Sequence, residues 1–111
     1  MTWKTTGVAA VTLTDGMSRE VNVGSASILL VAWGGQVRAL TGICPHLGGI
    51  LADGVVEEGH VTCPEHNAQF DVATGKVLVD PFGMEPPQGG VDPLQTYPTR
   101  VEAGMIEIDL G

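Results

Sequence analysis

Basic residues, aromatic residues and long apolar runs are all scarce in this chain of 111 residues. Five lysines and arginines face thirteen acidic residues, and the net charge of −8 makes nucleic acid and anionic membrane surfaces poor partners. The longest apolar stretch, residues 28–33, is far shorter than the ~20 residues of a membrane-spanning helix. We therefore expect one domain, residues 1–111, without a membrane anchor.

Cysteine is also scarce, and the N-terminus does not look like a leader. Its apolar run is interrupted by Thr12 and Thr14 and follows no separate basic region, so a signal peptide is a poor fit and a cytoplasmic location is expected. Because the cytosol keeps ordinary thiols reduced, the two cysteines, Cys44 and Cys63, favour metal binding or redox chemistry over a structural disulfide.

Glycine and proline are abundant instead, with 16 and 7 residues. Short strand-like runs alternate with turns, and helical periodicity is hard to find, which predicts an all-β fold of two or three small antiparallel sheets. The predicted strands cover residues 18–23, 27–33, 37–41, 60–63, 76–79, 94–101 and 105–110. Gly34-Gly35 and Ala103-Gly104 lie between neighbouring runs and predict β-hairpins.

Apolar residues that alternate along these runs are the candidate core. They are Trp3, Ile28, Leu30, Trp33, Leu40, Val61, Val101 and Ile106. The segment from Asp80 to Pro93 differs in composition, because it holds four of the seven prolines and three glycines. Such a composition makes a strand or helix improbable and predicts a long proline-rich loop over about residues 80–93.

The negative charge is concentrated in one part of the chain. Residues 53–92 contain eight acidic side chains against Lys76 alone, a net charge of −7. This segment predicts a basic protein surface as partner, although acidity that merely keeps the protein dissolved explains the same pattern.

Two short clusters contain the residues that bind metals. Cys44 and His46 form a C-x-H pair, and Cys63 and His66 form a C-x-x-H pair after sixteen intervening residues. Thiolate and imidazole suit borderline and soft transition metals, and four such ligands fit either a zinc ion or a 2Fe-2S cluster. One residue between Cys and His is unusual for zinc and matches a cluster in which two histidines replace two cysteines on one iron. Iron–sulfur is the better interpretation.

These two boxes resemble the Rieske-type ferredoxins, the small 2Fe-2S carriers of bacterial oxygenase systems. The resemblance is detailed from about residue 41 to residue 81. It includes C-P-H-L-G at 44–48, L-A-D-G at 51–54, C-P-x-H at 63–66 and F-D-x-x-T-G at 70–75. It implies a Rieske-like fold of small antiparallel sheets, with a cluster-binding subdomain inserted at about 42–81 and one cluster per chain.

The resemblance also implies the ligands and the role. Cys44 and Cys63 would bind one iron, and His46 and His66 would bind the other. Such a cluster is neutral when oxidised and −1 when reduced, so it is easier to reduce than a four-thiolate cluster. The chain would be an electron carrier and not an enzyme. A flavin-containing reductase fed by NAD(P)H would reduce it, and a terminal ring-hydroxylating dioxygenase would receive the electron.

Four positions depart from the membrane-bound respiratory Rieske proteins. Those proteins have an extra cysteine in each box, which form a disulfide, and a serine and a tyrosine that donate hydrogen bonds to the cluster. Here the corresponding residues are Gly49, Glu65, Ala68 and Phe70. Without these donors we expect a potential at the low end of the range of about −150 to +300 mV. A carboxylate at Glu65 would disfavour the extra electron further, unless its side chain is simply solvated.

Other functions remain open from the sequence. A ferredoxin component of a diiron hydrocarbon monooxygenase would have the same fold and the same site residues. A non-redox module that holds zinc or no metal, or a small subunit of a larger reductase, is a third possibility. The remaining histidine, His60, lies in a predicted strand and is expected to be structural or exposed.

Overall fold

Three small antiparallel sheets make up most of the computed structural model, which describes residues 2–45, 49–65, 67–81 and 91–110. The strands are β1 (Trp3–Ala9), β2 (Ser18–Val23), β3 (Ala26–Trp33), β4 (Gln36–Thr41), β5 (Val55–Glu57), β6 (His60–Thr62), β7 (Gln69–Asp71), β8 (Val77–Val79), β9 (Thr96–Tyr97), β10 (Thr99–Glu102) and β11 (Met105–Asp109). Short 3-10 turns cover Ala10–Thr12 and Leu51–Asp53. The predicted all-β fold of small antiparallel sheets is confirmed.

The central sheet has the strand order β2-β3-β4-β9. β3 pairs with β2 on one side and with β4 on the other. Gly34 and Gly35 form the turn between β3 and β4 with φ angles of +64° and +79°, which suit the tightest hairpin turns. The hairpins predicted at this turn and at Ala103-Gly104, between β10 and β11, are both confirmed.

β3 is buried on both faces, and its alternating side chains enter two different cores. Leu29 and Val31 belong to the near core, whose buried residues are Leu29, Val31, Leu40, Cys44, Leu51, Val61, Cys63, Ala68, Phe70, Val72 and Leu94. Ile28 and Leu30 belong to the far core, whose buried residues are Val8, Leu13, Val23, Ile28, Leu30, Ala32, Ala39, Ile106 and Ile108. The unbroken apolar run of residues 28–33 is therefore explained by a strand without a solvent-facing side.

The far core lies between the central sheet and a sheet of order β1-β11-β10. β1 pairs with β11, so that Trp3 stands opposite Asp109 and both ends of the described chain meet in one sheet. At the sheet surface the Arg100 guanidinium lies 4.5 Å from the centre of the Trp3 ring and forms a 2.7 Å ion pair with Glu107.

The near core lies between the central sheet and a sheet of order β5-β6-β7-β8. Cross-strand register aligns Val56, Val61, Phe70 and Val77 in one row across this sheet. Val61 and Phe70 are fully buried, and Val56 and Val77 pack against them from the two edges. This sheet adjoins both cysteine-bearing segments. Cys63 directly follows β6, and Cys44 lies in the segment that precedes β5.

Several predictions made from the sequence need correction. β1, β5 and β7 were not predicted as strands, and the predicted strand over 94–101 is two short strands separated at Pro98. Val101 is 54% exposed and not in the core, because β10 is an edge strand. Trp3 and Trp33 are only half-buried. Most of the predicted loop at 80–93, residues 82–90, lies outside the described residues.

Candidate metal centre

Cys44 and Cys63 begin two loops that share one backbone arrangement. The Cys44 N–H donates to the Gly49 carbonyl at 2.8 Å, and the Cys63 N–H donates to the Ala68 carbonyl at 2.8 Å. In both loops the acceptor is five residues after the cysteine. An antiparallel bridge between Ile43 and Ile50 closes the first loop. The local sequence C-P thus opens two equivalent loops that present their cysteines to one another.

In the second loop, a turn completes this arrangement. The Asn67 N–H donates to the Cys63 carbonyl at 3.2 Å, and Asn67 has a φ of +63°. Asparagine tolerates this left-handed conformation better than most residues, which gives a physical reason for its presence at this position.

The two thiols are buried together in the near core. Cys44 and Cys63 are each 1% exposed, and they do not form a disulfide. Burial raises the pKa of the Cys63 thiol to about 11, the N–H of Glu65 partly offsets this rise, and hydrogen bonding to the Cys44 thiol adds to it. The neutral thiol is thus favoured until a cation replaces the proton. Two adjacent, buried, soft donors fit the sulfur-ligated iron of a 2Fe-2S cluster.

The histidines predicted as ligands, His46 and His66, lie outside the described residues. Within the described residues, no third Cys, His, Asp or Glu joins the two cysteines in a group that could hold a metal ion. His60 lies on β6, paired with Glu57 on one side and Asp71 on the other. The structure therefore brings together two of the four predicted ligands.

Gly49 and Glu65 are the contact between the two loops. A Cβ atom added to Gly49 would lie 2.6 Å from Glu65 Cγ and 3.1 Å from Cys63 Sγ. Such distances leave no room for a side chain at position 49 unless the Glu65 side chain moves and the Cys63 sulfur shifts slightly. The two positions that correspond to the disulfide of respiratory Rieske proteins are thus adjacent here, with a glutamate stem in place of the cross-link.

Ala68 and Phe70 occupy the two positions that correspond to the serine and tyrosine donors of respiratory Rieske proteins. Their exposed fractions are 1% and 0%, and both belong to the near core with the thiols. The N–H of Glu65, 3.4 Å from Cys63 Sγ, is a described donor to a cysteine sulfur. Among the described residues, the hydrogen bonds of the Cys63 sulfur thus involve the Glu65 N–H and the Cys44 thiol, and positions 68 and 70 have no hydroxyl.

A hollow of about 310 Å³ lies beside the second loop. Cys63, Pro64 and Asn67 form one wall, and Asp53 and Glu57 give it acidic edges. A larger hollow of about 880 Å³ lies between β4, β9 and β10, and neither cysteine lines it. The smaller one is therefore the one next to the candidate metal centre.

The model of the Rieske 2Fe-2S domain family matches residues 4–98 of this chain. The chain belongs to the Rieske 2Fe-2S domain family. The cofactor of this Rieske chain is accordingly a 2Fe-2S cluster, as the two boxes predicted. Among the described residues, no helix has the length and apolar character needed to cross a membrane.

Two relatives of this Rieske chain differ greatly in length. Apoptosis-inducing factor 3 of Mus musculus is 35% identical over 86% of this chain, which spans only 14% of that protein. The naphthalene 1,2-dioxygenase ferredoxin component of Pseudomonas putida is 30% identical, over 93% of this chain and 94% of the relative. The Rieske chain is thus similar to one domain of a long protein and to a ferredoxin of its own length.

A solved structure supports the fold assignment. A chain in the complex of reduced oxygenase and oxidised ferredoxin of carbazole 1,9a-dioxygenase superimposes with a TM-score of 0.79. It is 26% identical, and the match covers 96% of this Rieske chain and 91% of the other. The Rieske-like fold predicted from the two boxes is confirmed.

Proposed function

We propose that this chain is a one-electron carrier, the ferredoxin component of a ring-hydroxylating dioxygenase system, and not itself an enzyme. In this proposal Cys44 and Cys63 bind one iron of the cluster, and His46 and His66 bind the other. Residues 1–111 would act as a single Rieske-type domain, with the cluster-binding subdomain over about 42–81. The proposal also includes a cytoplasmic location.

The observation that carries the proposal is the pair of buried thiols. Two loops with the same hydrogen-bond arrangement bring Cys44 and Cys63 together with 1% exposure each, inside a small apolar core. A relative of almost the same length is named as a dioxygenase ferredoxin component, and relatedness over 94% of its length makes the same role the best-supported one here.

When bound, the cluster supplies reversible one-electron chemistry. The chain contributes burial and hydrogen bonding. Leu29, Val61 and Phe70 are fully buried in the core that contains the thiols and exclude water from their inner side. The Glu65 N–H stabilises negative charge on Cys63 Sγ. Because the two loops are fixed by their own backbone hydrogen bonds, little rearrangement should accompany the arrival of an electron.

The proposed partners are a flavin-containing reductase that uses NAD(P)H and a terminal oxygenase. Support for the second comes from the carbazole 1,9a-dioxygenase complex, in which an oxygenase and a ferredoxin are together in one structure. The acidic edges of the hollow beside Cys63 favour a partner with a basic surface. Electron-transfer contacts of this kind are small and short-lived.

Low-temperature EPR on protein purified without air, before and after dithionite, tests the cofactor and its ligands. We expect a signal only after reduction, with the low average g value of a cluster ligated by histidine. Silence in both states, together with zinc in place of iron and sulfide, would contradict the electron-carrier proposal.

Reconstitution tests the partners. The loaded protein, a flavin reductase and NADH are combined with a ring-hydroxylating dioxygenase or with a diiron monooxygenase, and substrate hydroxylation is measured. We expect turnover with the dioxygenase, and none when apo-protein replaces the loaded protein. Turnover with the diiron monooxygenase alone would assign the chain to that system instead.

A further inference from the structure

Glu65 places a carboxylate-bearing side chain against the cysteine loops. Glu65 Cγ lies 2.6 Å from the point that a Cβ atom of residue 49 would occupy. That point is 3.1 Å from Cys63 Sγ. Glu65 itself remains solvent-exposed, so its stem covers Gly49 while its carboxylate can reach water. The residue thus packs beside the thiol without entering the core.

No described cation neutralises this carboxylate. Arg100 and Glu107 form the ion pair found among residues 2–45, 49–65, 67–81 and 91–110, and both belong to the sheet on the far side of the molecule. Within the described residues the Glu65 charge therefore acts on the cysteine loops without a counter-ion, and solvent and salt screen it.

Backbone and side chain of Glu65 act on Cys63 in opposite directions. The Glu65 N–H, 3.4 Å from Cys63 Sγ, stabilises negative charge on the sulfur. The carboxylate destabilises it, because like charges repel and the energy of that repulsion rises as the distance falls. An electron added to a cluster held by Cys63 increases the negative charge that the carboxylate faces.

We propose that Glu65 lowers the reduction potential of the cluster, and that Gly49 is the positioning residue that lets the Glu65 side chain lie over the loops. This inference rests on the proposed function, because it takes Cys63 to be a cluster ligand. The pair takes the place of a cross-link between the two loops and gives the loop contact an electrostatic role.

The direct test compares two variants that each remove one negative charge. Glu65→Gln preserves the stem over Gly49, whereas Glu58→Gln removes a charge at the β5–β6 turn, the opposite end of that hairpin from the second loop. Potentiometric titration followed by EPR gives the reduction potential of each loaded protein. We expect Glu65→Gln to raise the equilibrium constant for one-electron reduction about three- to tenfold, where tenfold corresponds to 59 mV.

Ionic strength separates charge from packing. The difference between the wild-type protein and Glu65→Gln should shrink at high salt, because salt screens exposed charges and leaves packing unchanged. We expect Glu58→Gln to stay within a factor of two of the wild-type equilibrium constant. Equal effects of Glu65→Gln and Glu58→Gln, or a difference that salt does not alter, would overturn the proposal.

A second variant tests the role of Gly49. In Gly49→Ala the new methyl group should displace the Glu65 side chain and raise the potential towards that of Glu65→Gln. Adding Glu65→Gln to Gly49→Ala should then have little further effect, whereas additive shifts would remove Gly49 from the proposal. Should Gly49→Ala assemble no cluster, Glu65→Ala, which removes an exposed side chain, measures the loss of both stem and charge and must also raise the potential.

Failure of this inference differs from failure of the proposed function. A wild-type protein without the reduced EPR signal contradicts the electron-carrier role and leaves no potential to measure. A normal signal whose potential is the same in wild-type protein and in Glu65→Gln contradicts the Glu65 assignment alone.

Discussion

Consecutive residues of β3 belong to two cores that differ in composition. Leu29 faces the near core, which contains both cysteines, and Leu30 faces the far core, whose buried members are aliphatic. Both leucines are 0% exposed. The far core is an apolar layer between two sheets, whereas the near core also contains the two thiols that we propose as cluster ligands.

The difference indicates that the two cores have different structural roles. The far core joins strands from both ends of the described chain, β1 and β11, to the central sheet, so it can stabilise the fold without a cofactor. The sheet that covers the near core has short strands, since β5 to β8 have only three residues each. We infer that the cluster stabilises the near side and that the far side serves as its support.

The largest expected effect is the loss of the cluster from the near core. Cys44→Ser replaces the thiol of a proposed cluster ligand by a hydroxyl, and we expect no visible absorbance and no EPR signal after reduction. Hydrogen exchange at Ile106 and Ile108 should remain slow, because both amides belong to the far side. Fast exchange at these amides would contradict an independent far core, since the two cores would then unfold as one unit.

The next prediction tests a proposed histidine ligand of the cluster. We expect His66→Cys, if it still assembles a cluster, to lower the reduction potential by on the order of 100 mV or more, because a third thiolate adds negative charge to the cluster. Potentiometry on His60→Asn is the matched control, and its potential should equal that of the wild-type protein. An unchanged potential in His66→Cys would remove His66 from the ligand set.

Leu29→Ala and Leu30→Ala compare the two cores directly. Each removes a fully buried side chain and should lower the free energy of unfolding by about 2–5 kcal/mol in denaturant titrations. The rate at which the loaded protein loses its visible absorbance distinguishes them, and we expect faster loss in Leu29→Ala. Equal rates would show that β3 transmits a far-side cavity to the cysteine loops.

The smallest expected effect is a change in the rate of electron transfer when one exposed acidic residue is neutralised. Neutralising the exposed Glu57, at the hollow beside Cys63, should slow electron transfer from the reductase a few-fold at low salt. Glu102→Gln, an equally conservative change on the exposed edge strand β10, should leave the rate unchanged. Stopped-flow reduction at several salt concentrations measures both, and equal rates would indicate that the acidic near side does not guide docking.

Local patterns predicted the strands whose neighbours in sequence are also neighbours in space. The predicted run 18–23 is β2 with the same bounds, and the turn at Gly34-Gly35 joins β3 and β4. Three residues carry too little alternation to decide between strand and turn: of four such strands, β6 and β8 lie within predicted runs, whereas β5 and β7 do not. They are strands because β6 pairs with both of them.

Long-range pairing was beyond sequence patterns. β1 is held by β11, about a hundred residues away, and its own burial alternates poorly. Pro98 divides the run predicted at 94–101, since proline has no N–H to continue a ladder. Val101 was assigned to the core because alternation does not reveal which strand lies at an edge.

In the candidate site, too, local features were predictable from the sequence and contacts between distant segments were not. The spacing of Cys and His in the two boxes favoured a 2Fe-2S cluster over zinc, and the structure adds that Cys44 and Cys63 are buried in one core. From the sequence, Gly49 was notable only because it stands where respiratory Rieske proteins have a disulfide cysteine. Its contact with Glu65 depends on how two loops face one another, and the paired glycines at 48–49 were the one signal for it.

The pairing of Trp3 with Asp109 has a consequence for how this module can be connected to other proteins. Both strands leave the molecule side by side, at the sheet on the opposite side of β3 from the cysteines. Neighbouring ends allow a domain to be inserted into, or fused with, another chain with little strain. A Rieske module built in this way can be joined to a longer polypeptide on the side of the molecule away from Cys44 and Cys63.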